Sequence, residues 1–236
     1  MNNIKVKKYA LVLSGGKGVR LGLDKPKQYI EVNNKPIIGY CLDTFQQHAN
    51  IDGIVIVIDD SWREYVQSYI REEGIDKFLC FAPAGKSRQH SILSGLKAMK
   101  ENGISDDSVV IIHDAARPNV SAEIIDTCIE KMGDYDCAMP VLPVKDTVYV
   151  SNDGKTIGAL LDRDTLFAGQ APESCRLGSY YEANMTLTDE EIEGVRGTSA
   201  IAYEKGLKVG LFPGSESNYK ITTAADLEKF KREIEG

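Results

Sequence analysis

A glycine-rich segment follows the first apolar stretch of the chain. Residues 14–22 have the sequence Ser-Gly-Gly-Lys-Gly-Val-Arg-Leu-Gly. Because glycine has no Cβ, the backbone at these positions can approach a polyphosphate, and successive N–H groups can form a concave anion site. The segment lacks the Gly-Lys-Ser/Thr ending of the Walker loop, and Leu21 stands where the dinucleotide-binding pattern requires its third glycine. The segment therefore predicts a phosphate-binding loop of another kind, and the alternative for the glycines alone is an ordinary structural turn.

Several cations accompany these glycines. Arg20 lies within the segment, and Lys25-Pro-Lys27 follows it with an extended backbone, because a residue before proline avoids helical angles. Nucleotidyl transfer adds negative charge to the α-phosphate oxygens and to the departing pyrophosphate, and fixed cations stabilise that charge. A single surface lysine is usually only solvated, but this interpretation is weaker for a combination of cations that suits the charge developed in nucleotidyl transfer.

Five motifs resemble, in the same order along the chain, the 2-C-methyl-D-erythritol 4-phosphate cytidylyltransferase family and its sister group, the ribitol-5-phosphate cytidylyltransferases. They are Leu13 to Arg20 with Pro26-Lys-Gln28, Ala84-Gly-Lys-Ser-Arg-Gln-His-Ser91, His113-Asp-Ala-Ala-Arg-Pro118, Asp162-Arg163 with Gln170-Ala-Pro172, and Asn218-Tyr-Lys-Ile-Thr222. The resemblance spans most of the chain. It implies an enzyme that transfers CMP from CTP to a small polyol phosphate and releases pyrophosphate.

The resemblance also implies a role for particular residues. It gives Arg20 and Lys27 the stabilisation of the pentavalent phosphate, and it gives Arg163 and Lys220 the orientation of the acceptor phosphate. Contacts to CTP fall to Leu13, Ser14, Gly15, Gly16, Gly18, Ala84, Gly85, Arg88 and Ser91. Asp114 follows an apolar strand, where a carboxylate can serve Mg²⁺, the expected divalent cofactor, or a substrate hydroxyl. Arg117 would hold the acidic motif or a phosphate, although an ordinary loop salt bridge is the alternative for this pair.

The match departs from the family pattern near the acceptor. The family has Thr-Asp before a helix, whereas this chain reads Val195-Arg-Gly-Thr-Ser199, and the earlier Thr188-Asp189 is expected only to cap a local helix. The segment at 170–173 is Gln-Ala-Pro-Glu in place of Gln-Thr-Pro-Gln, and Ala84 replaces a glycine. A lost hydrogen-bond partner changes discrimination between acceptors more than it changes the use of CTP.

Three functions therefore remain open at this point. The first is CMP transfer to 2-C-methyl-D-erythritol 4-phosphate, and the second is the same chemistry on ribitol 5-phosphate, glycerol phosphate or another polyol phosphate used in a surface polymer. The remote third is a silent nucleotide-binding protein, against which the joint presence of Arg20, Lys27, Arg163 and Lys220 argues. His90 and His113 are expected to be structural, because a phosphate acceptor is already anionic at pH 7 and needs no general base.

The elements that must position these residues alternate between strand and helix. Short apolar runs at Tyr9–Leu13, Gly53–Ile58, Phe78–Ala82 and Val109–Ile112 predict strands that are covered on both faces. Helices are predicted between them at Pro36–His48, Ser61–Glu72 and Ser87–Lys100, and a last helix follows a capping box at Thr223 and Asp226. Together with the resemblance, this predicts one α/β domain over residues 1–236, a Rossmann-like three-layer sandwich of the nucleotide-diphospho-sugar transferase type with a mostly parallel sheet.

A hairpin interrupts this alternation within residues 141–163. Apolar residues at 148–150 and 157–161 flank Ser151-Asn-Asp-Gly154, which is a strong turn sequence. A two-stranded arm is marginally stable alone and usually packs on something else. We therefore expect this protruding β-arm to form a homodimer and to bring Arg163 to the partner's CTP site.

The composition excludes several partners. The net charge of −7 argues against nucleic-acid binding, and no run of eighteen apolar residues is present, so neither a membrane nor an export segment is expected. The five cysteines, Cys41, Cys80, Cys128, Cys137 and Cys175, never occur as CxxC and mostly lie in apolar runs. We expect a cytoplasmic protein with buried thiols and neither disulfides nor zinc.

Overall fold

The computed structural model describes residues 6–16, 25–195 and 197–236. Its strands are β1 (Lys8–Leu13), β2 (Glu31–Val32), β3 (Lys35–Pro36), β4 (Gly53–Ile58), β5 (Phe78–Pro83), β6 (Val109–Asp114), β7 (Cys137–Pro143), β8 (Val148–Val150), β9 (Ala159–Leu161), β10 (Phe167–Gly169), β11 (Glu173–Arg176) and β12 (Val209–Pro213). Its helices are α1 (Ile37–Gln47), α2 (Arg63–Glu72), α3 (Arg88–Glu101), α4 (Ala122–Lys131), α5 (Leu177–Met185), α6 (Asp189–Gly194), α7 (Thr198–Glu204) and α8 (Ala224–Glu235). The four strands and the helices predicted from the sequence are confirmed to within a few residues.

An eight-stranded sheet occupies the centre of the described structure, with the order β10-β7-β11-β6-β1-β4-β5 and β12 paired to β7. The strands β6, β1, β4 and β5 are parallel, and β12 is parallel to β7. Only β10 and β11 run against their neighbours. The prediction of a mostly parallel central sheet is confirmed.

Side chains alternate between the two faces of the sheet, and each face is covered by helices. Ile54, Ile56 and Ile58 of β4 pack with residues of α1, α2 and α4, whereas Val55 and Val57 pack with residues of α3, α5 and α7. Because both faces are buried, the strands have continuous apolar sequences instead of alternating ones. These two apolar clusters make the fold a three-layer α/β sandwich.

A smaller apolar cluster supports the segment that follows the glycine loop. The β2–β3 hairpin turns at Asn33 and Asn34, which both have positive φ, as a tight two-residue turn requires. Val32 of this hairpin packs with Phe230 of α8, whose capping box at Thr223 and Asp226 is confirmed. The helix α8 therefore supports the β2–β3 hairpin, which follows Lys27 in the chain.

The predicted hairpin exists as a separate two-stranded sheet of β8 and β9. Its strands are short, and an eight-residue connection lies between them, in which Gly154 has a positive φ. Residues 141–143 still belong to β7 of the central sheet, so the segment outside that sheet begins after Pro143. Most of its large apolar side chains are exposed, namely Tyr149, Val150, Ile157, Leu160 and Leu161.

The expectation that disulfides are absent is wrong in this structure, where Cys137 and Cys175 form one. The two residues lie directly opposite each other in the antiparallel pair of β7 and β11. This register brings together cysteines that are 38 positions apart, and a sequence without CxxC spacing does not reveal it. Cys41, Cys80 and Cys128 are free thiols.

Among the described residues, no helix combines the length and the apolar character that crossing a membrane requires.

Candidate active site

A cleft of about 860 Å³ opens at the carboxyl ends of the central strands. Leu13, the last residue of β1, is the register neighbour of Asp114 at the end of β6 and of Val57 near the end of β4. Open α/β sheets bind ligands at this edge, because successive loops leave the strands there. The cleft is lined by Leu13, Gly15, Gly16, Lys27, Gln28, Asp59, Ala84, Gly85, Lys86, Ser87, Arg88, Ser91, Asp114, Ala116, Lys220 and Thr222.

The start of the glycine loop is fixed from behind by the motif that follows it. The buried Gln28 amide donates to the carbonyl oxygens of Ser14, at 2.7 Å, and Gly16, at 2.8 Å. The Tyr29 hydroxyl also donates to the Ser14 carbonyl at 2.9 Å, and burial raises the pKa of this phenol to about 12. The Ser14 N–H donates to the Val57 carbonyl oxygen at 2.7 Å. Because the Ser14 carbonyl is held on the protein side, the Gly15 N–H of the same trans peptide unit points the opposite way, where an anion in the cleft could accept from it.

A second loop lies against the first. An added Cβ on Gly15 would lie 2.3 Å from Ala84 Cβ, so the two backbones are in close approach. Gly85 is similarly restricted, because a Cβ there would lie 2.4 Å from His90 Cβ. The Gly85 N–H donates to Ser91 Oγ at 3.0 Å, so the second loop folds back on the start of α3.

The cation of the second loop is tied to α6. Lys86 Nζ lies 3.1 Å from an oxygen of Asp189 and 2.7 Å from an oxygen of Glu193. Thr188 caps this short helix, as its sequence predicts. The exposed ion pairs contribute little to stability individually, but they connect the second loop to a helix far along the chain.

Three cations surround Asp114. Arg88 Nε donates to one carboxylate oxygen at 3.1 Å, Lys220 Nζ donates to the other at 2.9 Å, and Arg117 Nε lies 3.7 Å away. Burial by itself would raise the pKa of Asp114, but these cations outweigh it, and the pKa lies well below its ordinary value. The carboxylate therefore stays ionised at every pH at which the protein would be assayed.

Arg117 connects the acidic motif to the carboxyl-terminal motif. Its Nη1 donates to the Asn218 carbonyl oxygen at 2.7 Å, and Asn218 Nδ2 donates to the Ala171 carbonyl oxygen at 2.7 Å. Arg117 does not line the cleft, and its contacts join the acidic loop to the segment at Asn218; its predicted contact with a substrate phosphate stays a prediction. The Arg117 contacts keep Lys220 beside Asp114.

His113 lies beneath the site and is completely buried. Its Nε2 lies 2.9 Å from the Arg117 carbonyl oxygen, which requires the neutral ring to donate from that nitrogen. Burial lowers the pKa of His113 to about 4. A neutral, buried imidazole outside the cleft lining agrees with the structural role expected for this residue.

The described residues do not form a metal site made by the protein alone. No group of three or more His, Cys, Asp or Glu side chains among them could hold an ion. Both oxygens of Asp114 already accept from Arg88 and Lys220, so a divalent cation would have to compete with these two. The assignment of Mg²⁺ to Asp114 stays a prediction.

Most of the residues predicted from the sequence meet in this one cleft. Ser14 is buried and lines a smaller pocket that shares residues with the cleft. Arg163 is exposed at the end of the hairpin, where its Nη1 donates to the Lys145 carbonyl oxygen. Arg163 does not line the cleft of its own chain. Gly18 and Arg20 lie outside the described residues, so their predicted roles stay predictions.

Several residues of the site have no role in the sequence-based prediction. Gln28 belongs to the Lys-Pro-Lys-Gln motif, so the sequence could have indicated that it lies in the site. Asp59 directly follows β4, at the edge of the sheet where ligands bind. Glu173 and Thr198 lie in the two segments that depart from the family pattern, but the sequence did not indicate their contacts with Arg88, which join positions 85 and 110 residues apart.

The fold and the site define a nucleotidyltransferase, with two close-packed loops and a cluster of cations at the carboxyl edge of an α/β sheet. The family model for 2-C-methyl-D-erythritol 4-phosphate cytidylyltransferase matches residues 9–232, and the chain belongs to this family. It is therefore a cytidylyltransferase, as the sequence motifs predict.

Individual relatives have two different names. The chain is 35% identical over 228 residues to a ribitol-5-phosphate cytidylyltransferase of Lacticaseibacillus paracasei, covering 94% of this chain and 95% of the relative. It is 34% identical to a 2-C-methyl-D-erythritol 4-phosphate cytidylyltransferase of Clostridium botulinum, covering 94% of each. A solved structure of the latter type from Francisella tularensis matches with a TM-score of 0.79 and 26% identity, covering 96% of this chain and 99% of that one.

Proposed function

We propose that the chain transfers CMP from CTP to 2-C-methyl-D-erythritol 4-phosphate. The observation that supports this most is the arrangement of the cleft. One side has two loops whose glycines permit close approach of a triphosphate, and the other side has the ionised Asp114 between Arg88 and Lys220. A nucleotide and a phosphorylated polyol need these two kinds of surface, and they need them in contact.

In the proposed reaction an oxygen of the acceptor phosphate attacks the α-phosphorus of CTP. A new P–O bond forms, the bond between the α- and β-phosphates breaks, and pyrophosphate leaves with the electron pair. Lys27 lines the cleft beside the glycine loop and offsets the charge that develops on the α-phosphate, and Lys220 holds the acceptor phosphate. Asp114 accepts hydrogen bonds from the hydroxyl groups of the acceptor.

The reaction requires no general base, because the attacking phosphate is already ionised at neutral pH. Mg²⁺ bound to the triphosphate would offset its charge so that a second anion can approach. The chain's own residues then bind and orient the two substrates. We expect CTP to be preferred over ATP, GTP and UTP.

Ribitol 5-phosphate is the second candidate acceptor. Ala171 stands where the resemblance includes a threonine, and the segment at 195–199 lacks the family's aspartate, so two polar groups near the acceptor are missing from this chain. The relative from L. paracasei is named for ribitol 5-phosphate and covers nearly the whole chain. Since acceptor hydroxyls are distinguished by a few hydrogen bonds, these losses affect which polyol is accepted.

The proposal includes a homodimer in which the hairpin of one chain covers the site of its partner. Large apolar side chains are exposed on the hairpin, and Phe167 of β10 is exposed at its base. A patch of this kind is usually covered by another protein surface. Arg163 lies just after β9, outside the cleft of its own chain, so a partner's cleft is the site that it can serve.

The experiment is a pyrophosphate-release assay with Mg²⁺, CTP and each of the two acceptors, and the product is identified by mass spectrometry. We expect the CDP-alcohol of 2-C-methyl-D-erythritol with the higher kcat/KM, no activity in EDTA, and rates with the other three nucleotides that are at least tenfold lower. A higher kcat/KM for ribitol 5-phosphate would select the second candidate. Equal rates with ATP, or no turnover of either acceptor, would refute the proposed function.

A further inference from the structure

Glu173 is a buried carboxylate next to the cleft that the proposed reaction does not use. It is the first residue of β11 and pairs in register with Ile112 of β6, two positions before Asp114. The residue is only 5% exposed and does not line the cleft. A buried charge is costly unless it is paired and hydrogen-bonded, so its partners define its role.

Each oxygen of Glu173 faces a different partner. Oε2 accepts from the Ser199 N–H at 2.9 Å and from the Ser199 hydroxyl at 2.5 Å, which ties the start of α7 to the sheet. Oε1 lies 3.6 Å from Arg88 Nη2 and forms an ion pair with it. Both sides of the carboxylate therefore meet donors, and one of these is a cation.

This contact completes the support of the Arg88 guanidinium. Its Nε donates to Asp114 at 3.1 Å and its Nη1 donates to Thr198 Oγ1 at 2.7 Å, while Nη2 faces Glu173. The planar group is thereby held by β6, α7 and β11 at the same time. Arg88 lines the cleft and donates to one oxygen of Asp114. The position of Arg88 therefore determines the orientation of the Asp114 carboxylate toward the acceptor.

We propose that Glu173 is a positioning residue for acceptor recognition, which acts by holding Arg88 and the start of α7 in one orientation relative to Asp114. This inference rests on the proposed function and assigns Glu173 an influence on how the acceptor is bound. Glu173 and Ser199 both lie at the places where the sequence departs from the pattern that it resembles, and the structure brings these two places into contact.

The family pattern has glutamine at position 173, but the contacts in this chain require a carboxylate there. The Ser199 N–H and the Arg88 guanidinium are both donors, so both side-chain oxygens must accept. A glutamine of the same shape has one oxygen and one NH₂ group, and in either orientation its NH₂ group opposes a donor. Glu173→Gln therefore perturbs Arg88 or α7 without changing the volume of the side chain.

The test compares Glu173→Gln with Thr198→Val, which removes another acceptor of Arg88, and with Ser199→Ala, which keeps the N–H contact and the ion pair. In steady-state assays with CTP and the acceptor, Glu173→Gln and Thr198→Val should each raise KM for the acceptor about tenfold or more. KM for CTP, which Arg88 is also predicted to contact, should rise by a clearly smaller factor than KM for the acceptor. Ser199→Ala, which leaves all three contacts of Arg88 in place, should raise KM for the acceptor less than either of the other two variants. Thermal unfolding shows whether each variant is folded.

The outcomes separate the two proposals. If the unaltered chain uses neither acceptor, the proposed function is refuted, and this result is distinct from a failure of the positioning role of Glu173. If the unaltered chain is active and folded Glu173→Gln keeps its KM for the acceptor, or if KM for CTP rises equally, the positioning role is refuted. If Glu173→Gln does not fold, Thr198→Val decides by the same split between the two KM values.

Discussion

Replacing Gly15 by alanine should separate the two loops that form the nucleotide side of the cleft. An added Cβ would lie 2.3 Å from Ala84 Cβ and 3.4 Å from Ala84 Cα. Non-bonded carbon atoms are ordinarily about 3.5–4.0 Å apart, so the loops must move apart by more than about 1 Å. A misplacement of about 1 Å can lower a rate about a hundredfold. We therefore expect kcat/KM for CTP to fall about a hundredfold in Gly15→Ala.

The same displacement should lower stability. Overpacking costs about 1–3 kcal/mol, and in a domain of this length each kcal/mol lowers Tm by about 2–4 °C. Gly16→Ala is the matched control for stability, because among the described residues, chain neighbours aside, no heavy atom lies within 4 Å of an added Cβ at that position. Its Tm should not fall.

A compensating substitution tests the cause directly. Ala84→Gly removes the methyl group that Gly15→Ala would meet, so the double variant should recover most of the lost kcat/KM and Tm relative to Ala84→Gly alone. Pyrophosphate release and thermal unfolding measure the two quantities. Activity and Tm of Gly15→Ala close to those of the unaltered chain, or no recovery in the double variant, would refute the loop contact as the cause.

Three further predictions concern other parts of the molecule. Lys27→Ala should lower turnover about a hundredfold with an unchanged circular dichroism spectrum, and near-normal turnover would remove Lys27 from the mechanism. Mixed Lys27→Ala and Arg163→Ala chains should regain up to about a quarter of full activity if one site combines two chains, whereas subunit exchange seen by mass spectrometry without recovery would place Arg163 elsewhere. Because the pKa of His113 is about 4 when folded, below its ordinary 6.5, the unfolded chain binds the proton first as pH falls. The free energy of unfolding should therefore fall by up to about 1.4 kcal/mol per pH unit between pH 6.5 and 4. Urea titrations at several pH values should show a smaller decrease per pH unit for His113→Gln than for the unaltered chain, and an equal decrease would contradict this prediction.

The sequence by itself determined the features that depend on neighbouring residues. Continuous apolar runs located the buried parallel strands, because a strand covered on both faces needs apolar side chains at every position. The capping box at Thr223 and Asp226 located the last helix, and the glycines after β1 located the phosphate loop. The Asn-Asp-Gly turn located the hairpin. Each of these is a property of local backbone geometry, which the residue types at adjacent positions control.

Only the tertiary structure decided which distant residues meet. Strand register placed Cys175 opposite Cys137 and Asp114 beside Leu13, and a shift of one residue would have turned each side chain to the other face. The close approach of Gly15 to Ala84 and the contacts of Arg88 with Glu173 and Thr198 follow from how loops and helices pack at one edge of the sheet. No local propensity encodes these contacts, because their energies depend on side chains that come together only after the whole sheet has formed.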